Sequence, residues 1–237
     1  MNKTAYITGG SKGIGLGIAQ VLLKEGINVA ISARTQSDLK TAEEHLKAIG
    51  KGEVIVIQSD VRNLANEESA IQKVVATWGR LDYCIANAGI GKFSAIDEMT
   101  VEDWNAVVDI NLTGVFHTVK ACIPALKKSK GYIITMASLA GTNFFQAGAA
   151  YNASKFGLVG FSQAIMLDLR PYEIKVTTIM PGSVATFING QTPSEKDDWK
   201  IQPEDIGQMV ADLFRMNPRT LPSKLEVRPS VPPSARK

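Results

Sequence analysis

Tyr151-x-x-x-Lys155, preceded in the chain by Ser138, is the grouping best suited to moving a proton. In a helix, residues four apart share a face, so the phenol and the ammonium would project into one pocket. A phenol with a pKa of about 10 is a poor acid or base at neutral pH. An ammonium about 4 Å away, at an effective dielectric of about 20, is worth roughly 4 kcal/mol. At about 1.36 kcal/mol per unit, that lowers the phenol pKa by about 3 units and makes Tyr151 usable near neutrality. Ser138 would stand beside it as a donor to a carbonyl oxygen. Such a pair carries little weight alone in a chain with 5 Tyr and 26 Lys plus Arg. It gains weight from a glycine-rich turn, Gly9-x-x-x-Gly13-x-Gly15, that follows a short apolar run at the start of the chain. Together the parts predict hydride transfer.

Positioning these residues requires an alternation of strands and helices. Apolar runs predict strands at Ala5 to Thr8, Asn28 to Ala33, Glu53 to Gln58, Tyr83 to Ala86, Tyr132 to Met136, Lys175 to Ile179 and Lys224 to Val227. Between them, helices are expected at Ile14 to Lys24, stopped by Gly26, and from a Ser37 cap to about Ile49. Others are expected at Ala65 to Thr77, Val101 to Leu126, Ala150 to Leu169 and Pro203 to Phe214. This order implies an α/β fold, a doubly wound parallel sheet of the Rossmann type in a single domain. Ligands of such sheets bind at the carboxyl ends of the strands, where the glycine turn, Arg34, Asp60, Asn87, Ser138 and Pro181 all fall. Residues 1–228 form the expected domain, and the proline-rich residues 229–237 an expected flexible tail.

Composition narrows the class. With 237 residues, 45% hydrophobic and 21% charged, the chain suits one globular domain. The net charge of +3 is spread along the sequence, which predicts no nucleic-acid partner. No signal-length apolar start and no run of 18 apolar residues predict a cytoplasmic protein without a membrane partner. Cys84 and Cys122 form no CxxC pair and read as reduced, buried hydrophobes. His45 and His117 are isolated, so no metal site is expected.

The turn and the next strand point to a dinucleotide. Glycines at 9, 13 and 15 let the backbone approach a pyrophosphate held at a helix N-terminus. The second strand ends Val29-Ala30-Ile31-Ser32-Ala33-Arg34, without the carboxylate that would accept a ribose 2′-hydroxyl. Arg34, with Ser11 and Lys12 on the facing turn, suits a 2′-phosphate, so the expected cofactor is NADP(H). Asp38 reads as favourable charge at the start of the second helix.

The chain resembles the short-chain dehydrogenase/reductase family over nearly its whole length. The motifs that carry the resemblance are Thr8-Gly9-Gly10-Ser11-Lys12-Gly13-Ile14-Gly15, Asp60-Val61, Asn87-Ala88-Gly89, Asn111, Ser138, Tyr151-x-x-x-Lys155, and Pro181-Gly182 followed by Thr186. The resemblance implies Asp60 at the adenine, Asn87 to Gly89 under the adenosine ribose, and Val184 and Thr186 at the nicotinamide carboxamide. It also implies a catalytic tetrad of Asn111, Ser138, Tyr151 and Lys155, in which Asn111 holds a water and Lys155 positions the cofactor ribose. Ala86 stands where the family often has a first Asn, and Leu225-Glu226-Val227-Arg228-Pro229 replaces the Val-Asp-Gly-Gly segment usual in 3-oxoacyl carrier-protein reductases. The short loop Phe187 to Lys200 and the chain end look more like compact bacterial alcohol dehydrogenases and sepiapterin-reductase-like members. The implied activity is reduction of a small carbonyl substrate or oxidation of a secondary alcohol, by a homodimer or homotetramer packed through the helices around residues 101–126 and 150–169. Two alternatives stay open: a 3-oxoacyl thioester or pterin reductase, and a catalytically silent NADP(H) sensor or scaffold. Phe93, Phe144, Phe145, Phe187 and Trp199 are candidates to line an apolar substrate cleft.

Overall fold

The computed structural model describes residues 2–235; the last two residues of the expected tail lie outside it. Seven strands, β1 (Thr4–Thr8), β2 (Asn28–Ala33), β3 (Val54–Gln58), β4 (Tyr83–Ala86), β5 (Tyr132–Met136), β6 (Lys175–Pro181) and β7 (Lys224–Val227), form one sheet in the order β3-β2-β1-β4-β5-β6-β7. Every pairing is parallel. The strand order reverses between β1 and β4, which opens a crevice at their carboxyl ends.

Both faces of the sheet are covered, and alternate side chains of each central strand go to opposite cores. Ala5 and Ile7 of β1 pack with helices α1 (Gly13–Lys24), α2 (Gln36–Lys47) and α7 (Pro203–Arg215). Tyr6 packs on the other side, with α3 (Leu64–Trp78), α5 (Gly114–Ser129) and α6 (Ala149–Leu169). Cys84 and Cys122 are free and buried in that second core.

Beyond shifts of one to three residues at element ends, four departures from the sequence expectations bear on the fold. The Val101 to Leu126 helix is interrupted: α4 (Val101–Val108) passes through a π-helical turn, Asp109–Thr113, before α5 begins. The wide turn sets Asn111 inward, where its carboxamide accepts from Ile90 N–H (2.8 Å) and donates to Ile90 C=O (2.9 Å). Ser37 does not cap α2: Thr35 holds the extended N-cap position, and Ser37 lies exposed in the first turn. That helix ends at Lys47, two residues before Ile49, ahead of Gly50 at φ +78°. β6 runs on through Pro181 because β7 pairs along it, Pro181 opposite Val227.

The run Val101–Ser129 has the length of a membrane span and contains an 18-residue stretch with a mean hydropathy of 1.3, although its sequence is not continuously apolar. Half of that stretch is buried inside the fold, and its apolar content serves the core.

Candidate active site

Thr8 ties the glycine turn to the end of β4. Its hydroxyl accepts from both Asn87 N–H and Ala88 N–H (3.1 Å each), while Asn87 Nδ2 donates to Thr8 C=O (2.9 Å) and Gly9 C=O (3.3 Å). This packing leaves no room for a side chain at Gly9 or Gly15. A Cβ on Gly9, at φ +64°, would stand 2.9 Å from Ala88 Cα, and one on Gly15 would stand 2.5 Å from Gly9 C=O. Ile14 follows at the start of α1, whose first turn carries no acidic residue.

The crevice beyond the turn is a cleft of about 740 Å³, a volume suited to a large ligand. Gly9, Ser11, Lys12, Gly13, Ile14, Arg34, Asp60, Val61, Asn87, Ala88, Gly89, Tyr151, Lys155 and Thr186 all border it. Pro181, Gly182 and Val184 do not line it: Gly182 N–H donates to Val227 C=O (2.7 Å), and Val184 bridges Ile201. A Cβ on Gly13 would reach to 3.5 Å from Thr186 Cγ2, so the bare glycine keeps the gap open. A helix N-terminus behind a glycine-rich turn fits a dinucleotide pyrophosphate.

At the Arg34 end of the cleft the charges are arranged in a way the sequence did not reveal. Lys12 is paired with Asp38 at 3.5 Å, so Asp38 faces the cleft as well as opening α2. The Arg34 guanidinium makes no ion pair among the described residues. Asp60 receives a fork from Arg62, with Nε 3.0 Å from each carboxylate oxygen, and this pairing is the main reason its carboxyl is held below the usual range. Beneath them lies a carboxyl that nothing in the local sequence flags. Glu67 is fully buried and accepts from Ser59 (2.6 Å), Thr118 (2.8 Å) and Tyr6 (3.0 Å). Burial raises its pKa. Ser59, and Ser32, which accepts from Tyr6 at 3.0 Å, line the cleft above it.

At the other end, α6 presents Tyr151 and Lys155 one turn apart, both buried. Ser138 stands at the end of β5 and also caps a short 3-10 turn by accepting from Ala140 N–H (3.1 Å). The electrostatics correct the sequence reading. Lys155 does not depress the Tyr151 pKa here: burial raises it, and the neighbouring Ser138 hydroxyl offsets part of the rise. The reason is that the Lys155 ammonium donates to Met136 C=O (2.9 Å) and sits 5.7 Å from the Tyr151 ring centre. Burial in turn lowers the Lys155 pKa to about 8. Asn111 and Lys155 both border Gly89, where a Cβ would lie 3.3 Å from Asn111 Oδ1 and 3.7 Å from Lys155 Nζ.

The lowered Lys155 pKa has a consequence for stability. A folded value of about 8, below an unfolded value of about 10.4, means the stabilising contribution is present at high pH and lost as pH falls through about 8. At pH 7 the buried ammonium therefore costs roughly 3 kcal/mol against high pH. Lys155→Met removes that cost and leaves Met136 C=O without its donor, a loss of about 1–3 kcal/mol. The variant should have a Tm no lower than wild type at pH 7, with the difference moving against the variant toward pH 10. Calorimetry across that range checks it; a pH-independent difference would contradict the burial argument.

Of the five candidate aromatics, three converge. Phe93 and Phe145 meet beside Tyr151, and Phe187 borders the cleft. Phe144 is 87% exposed, and Trp199 neither lines the cleft nor pairs with another aromatic ring among the described residues, so neither joins them. The loop carrying Phe187 is held at its neck by Ala185 N–H to Ile201 C=O (2.9 Å) and Ile201 N–H to Ser183 C=O (3.1 Å).

Comparison with known proteins agrees with this arrangement. A trans-4-hydroxycyclohexanecarboxylate dehydrogenase of Sinomonas cyclohexanicum is 35% identical over 223 residues, 89% of this chain and 85% of that protein. Among solved structures, an alcohol dehydrogenase from the archaeon Thermococcus sibiricus, complexed with 5-hydroxy-NADP, superposes with a TM-score of 0.92 at 26% identity over 100% of this chain and 99% of that one. A metagenomic short-chain oxidoreductase in complex with NADP gives 0.84 at 32% identity, over 97% and 98%. Residues 3–197 match the family model described as short chain dehydrogenase, and with the parallel sheet and the motifs on its carboxyl edge this makes the chain a member of the short-chain dehydrogenase family, an oxidoreductase.

Proposed function

We propose that the protein interconverts a ketone and a secondary alcohol with NADP(H), using Tyr151 as the general acid and base. The observation that carries this is the pairing of two buried groups, Tyr151 and Lys155, on one helix face at the floor of a cleft whose far end is the glycine turn. The nicotinamide supplies or accepts the hydride. Tyr151 gives its phenolic proton to the developing alkoxide in reduction and takes it back in oxidation. Ser138, beside the phenol, donates to the same oxygen and stabilises the charge that forms there. Lys155 holds the ribose, and its ammonium favours the phenolate once it turns from Met136 C=O toward the cofactor side. Asn111 keeps Ile90 and the Gly89 corner in place beside it. The turn at Gly9, Ser11, Gly13 and Ile14 would hold the phosphates, Asp60 and Val61 the adenine, Asn87 to Gly89 the adenosine ribose, and Val184 and Thr186 the carboxamide.

Arg34 and Lys12 select the 2′-phosphate in this reading, supported by an Arg34 that makes no ion pair among the described residues and by the NADP or 5-hydroxy-NADP bound in the two solved relatives. The test is oxidation of NADPH by the purified protein in the presence of a panel of ketones, with 3-oxoacyl thioesters and pterins included. Absence of turnover with the whole panel would favour a sensor.

The chain is proposed to work as a homodimer or homotetramer. Phe116 on α5 and Phe156 and Leu167 on α6 are 45%, 44% and 56% exposed, a row of apolar side chains on the two helices that a second copy would cover. Light scattering at micromolar concentration should give at least twice the chain mass of 25.5 kDa; a monomer would contradict it.

A further inference from the structure

We infer that the substrate end of the cleft is shaped for a neutral ketone bearing an aromatic ring, which it receives in a corner made by Phe93, Phe145 and the face of Tyr151. The inference deepens the reading of Tyr151 as the proton donor and rests on it. Phe93 meets the other two rings edge to face, 5.4 Å from Tyr151 at 68° and 5.7 Å from Phe145 at 61°, while Phe145 is tilted at 49° to Tyr151, 6.5 Å away. Tilted rings at these separations offer faces and edges to a further ring, which packs best in the same offset or edge-on manner. Phe93 and Phe145 remain 38% and 47% exposed, so apolar area is uncovered beside the reacting phenol.

The corner is built rather than incidental. Ser94 N–H donates to Ala147 C=O (3.0 Å), which ties the loop carrying Phe93 to the loop carrying Phe145. Asn152, one residue after Tyr151, pins the second loop by donating to Ala140 C=O and Asn143 C=O (2.8 Å each) and accepting from Phe145 N–H (3.4 Å). Gly91 permits the closing contact. A Cβ there would stand 2.9 Å from Phe93 Cζ and 3.3 Å from Ile188 Cγ1, so Phe93 and Ile188 of the loop after β6 both close over a bare glycine.

Charge argues for a neutral ligand. Lys92, next to Phe93, is paired with Asp103 at 3.3 Å, and the segment continues with Asp97, Glu98 and Glu102. A carboxylate or phosphate on the substrate would find the Lys92 ammonium already paired with Asp103. That disfavours acyl carriers with phosphate groups and small keto acids alike.

The experiment compares three ketones with NADPH on one preparation: acetophenone, 2-butanone and 4-acetylbenzoate. For wild type, kcat/KM for acetophenone should exceed that for each of the others by at least about tenfold. In Phe93→Ala and Phe145→Ala the ratio of acetophenone to 2-butanone should fall by about tenfold, mostly through KM. Phe93→Leu, which keeps apolar volume and loses the ring, should show an intermediate fall. A ratio within one preparation does not depend on how much of it is folded. Saturation-transfer NMR gives a readout apart from turnover, with acetophenone ring protons saturated by wild type and less so by Phe93→Ala. A wild-type preference for 2-butanone or 4-acetylbenzoate, or a ratio unchanged in both alanine variants, overturns the inference and leaves the role of Tyr151 standing. Failure of wild type to turn over any ketone overturns the role of Tyr151, and the inference with it.

Discussion

Tyr151→Phe should lower kcat by at least about 10²-fold while NADPH affinity stays within about twofold of wild type. The substitution removes one hydroxyl from a side chain that is already buried and packed edge to face against Phe93, so the ring and its neighbours stay where they are. What is lost is the proton that the alkoxide needs and one of two hydroxyls that polarise the carbonyl. Ser138 remains as a donor, which sets a floor of residual activity. The check is steady-state turnover beside a fluorescence titration of NADPH. Near-normal turnover by the folded variant would remove Tyr151 from the chemistry. A large loss of NADPH affinity would mean that the phenol acts mainly as a cofactor ligand.

Arg34→Asp should shift cofactor preference by roughly ten- to a hundredfold toward NADH, measured as the ratio of kcat/KM for the two cofactors at one salt concentration. A charge-assisted hydrogen bond to a 2′-phosphate is worth about 1.5–3 kcal/mol, and exposure of Arg34 to solvent discounts it toward the lower figure. The carboxylate adds repulsion against the phosphate and offers a partner to a free 2′-hydroxyl. Lys12 contributes less than Arg34 because Asp38 already holds it at 3.5 Å, so its ammonium must leave or share that carboxylate to reach a phosphate. Wild type is expected to prefer NADPH by at least about tenfold. Equal efficiencies in wild type, or a ratio unchanged by the substitution, would make Arg34 a surface residue.

The limits of reading a site from its motif appear at Lys155. Its position four residues from Tyr151 on a helix was legible, and so was its arrival in the same pocket. The direction of its ammonium was not. Helical spacing fixes where a Cβ emerges, whereas the choice between Met136 C=O and the phenol depends on a carbonyl of β5, which only folding brings alongside. The same holds for Asp38, whose place in the first turn of α2 was readable but whose pairing with Lys12 required two segments to converge across the cleft.

What the sequence by itself determined is therefore the local and periodic part. Runs of apolar residues set the seven strands and most of the helices, glycine set the turn at 9 to 15, and the alternation of elements set a parallel sheet with its ligand edge at the carboxyl ends. These follow from backbone sterics and from burial of one face, which neighbouring residues encode. Tertiary structure alone decided the π turn that directs Asn111 at Ile90, the burial of Glu67 among three hydroxyls from β1, α5 and the end of β3, and the meeting of Phe93 with Phe145 and Tyr151. Each of these joins residues far apart in the chain, and their energies exist only once the intervening elements have packed.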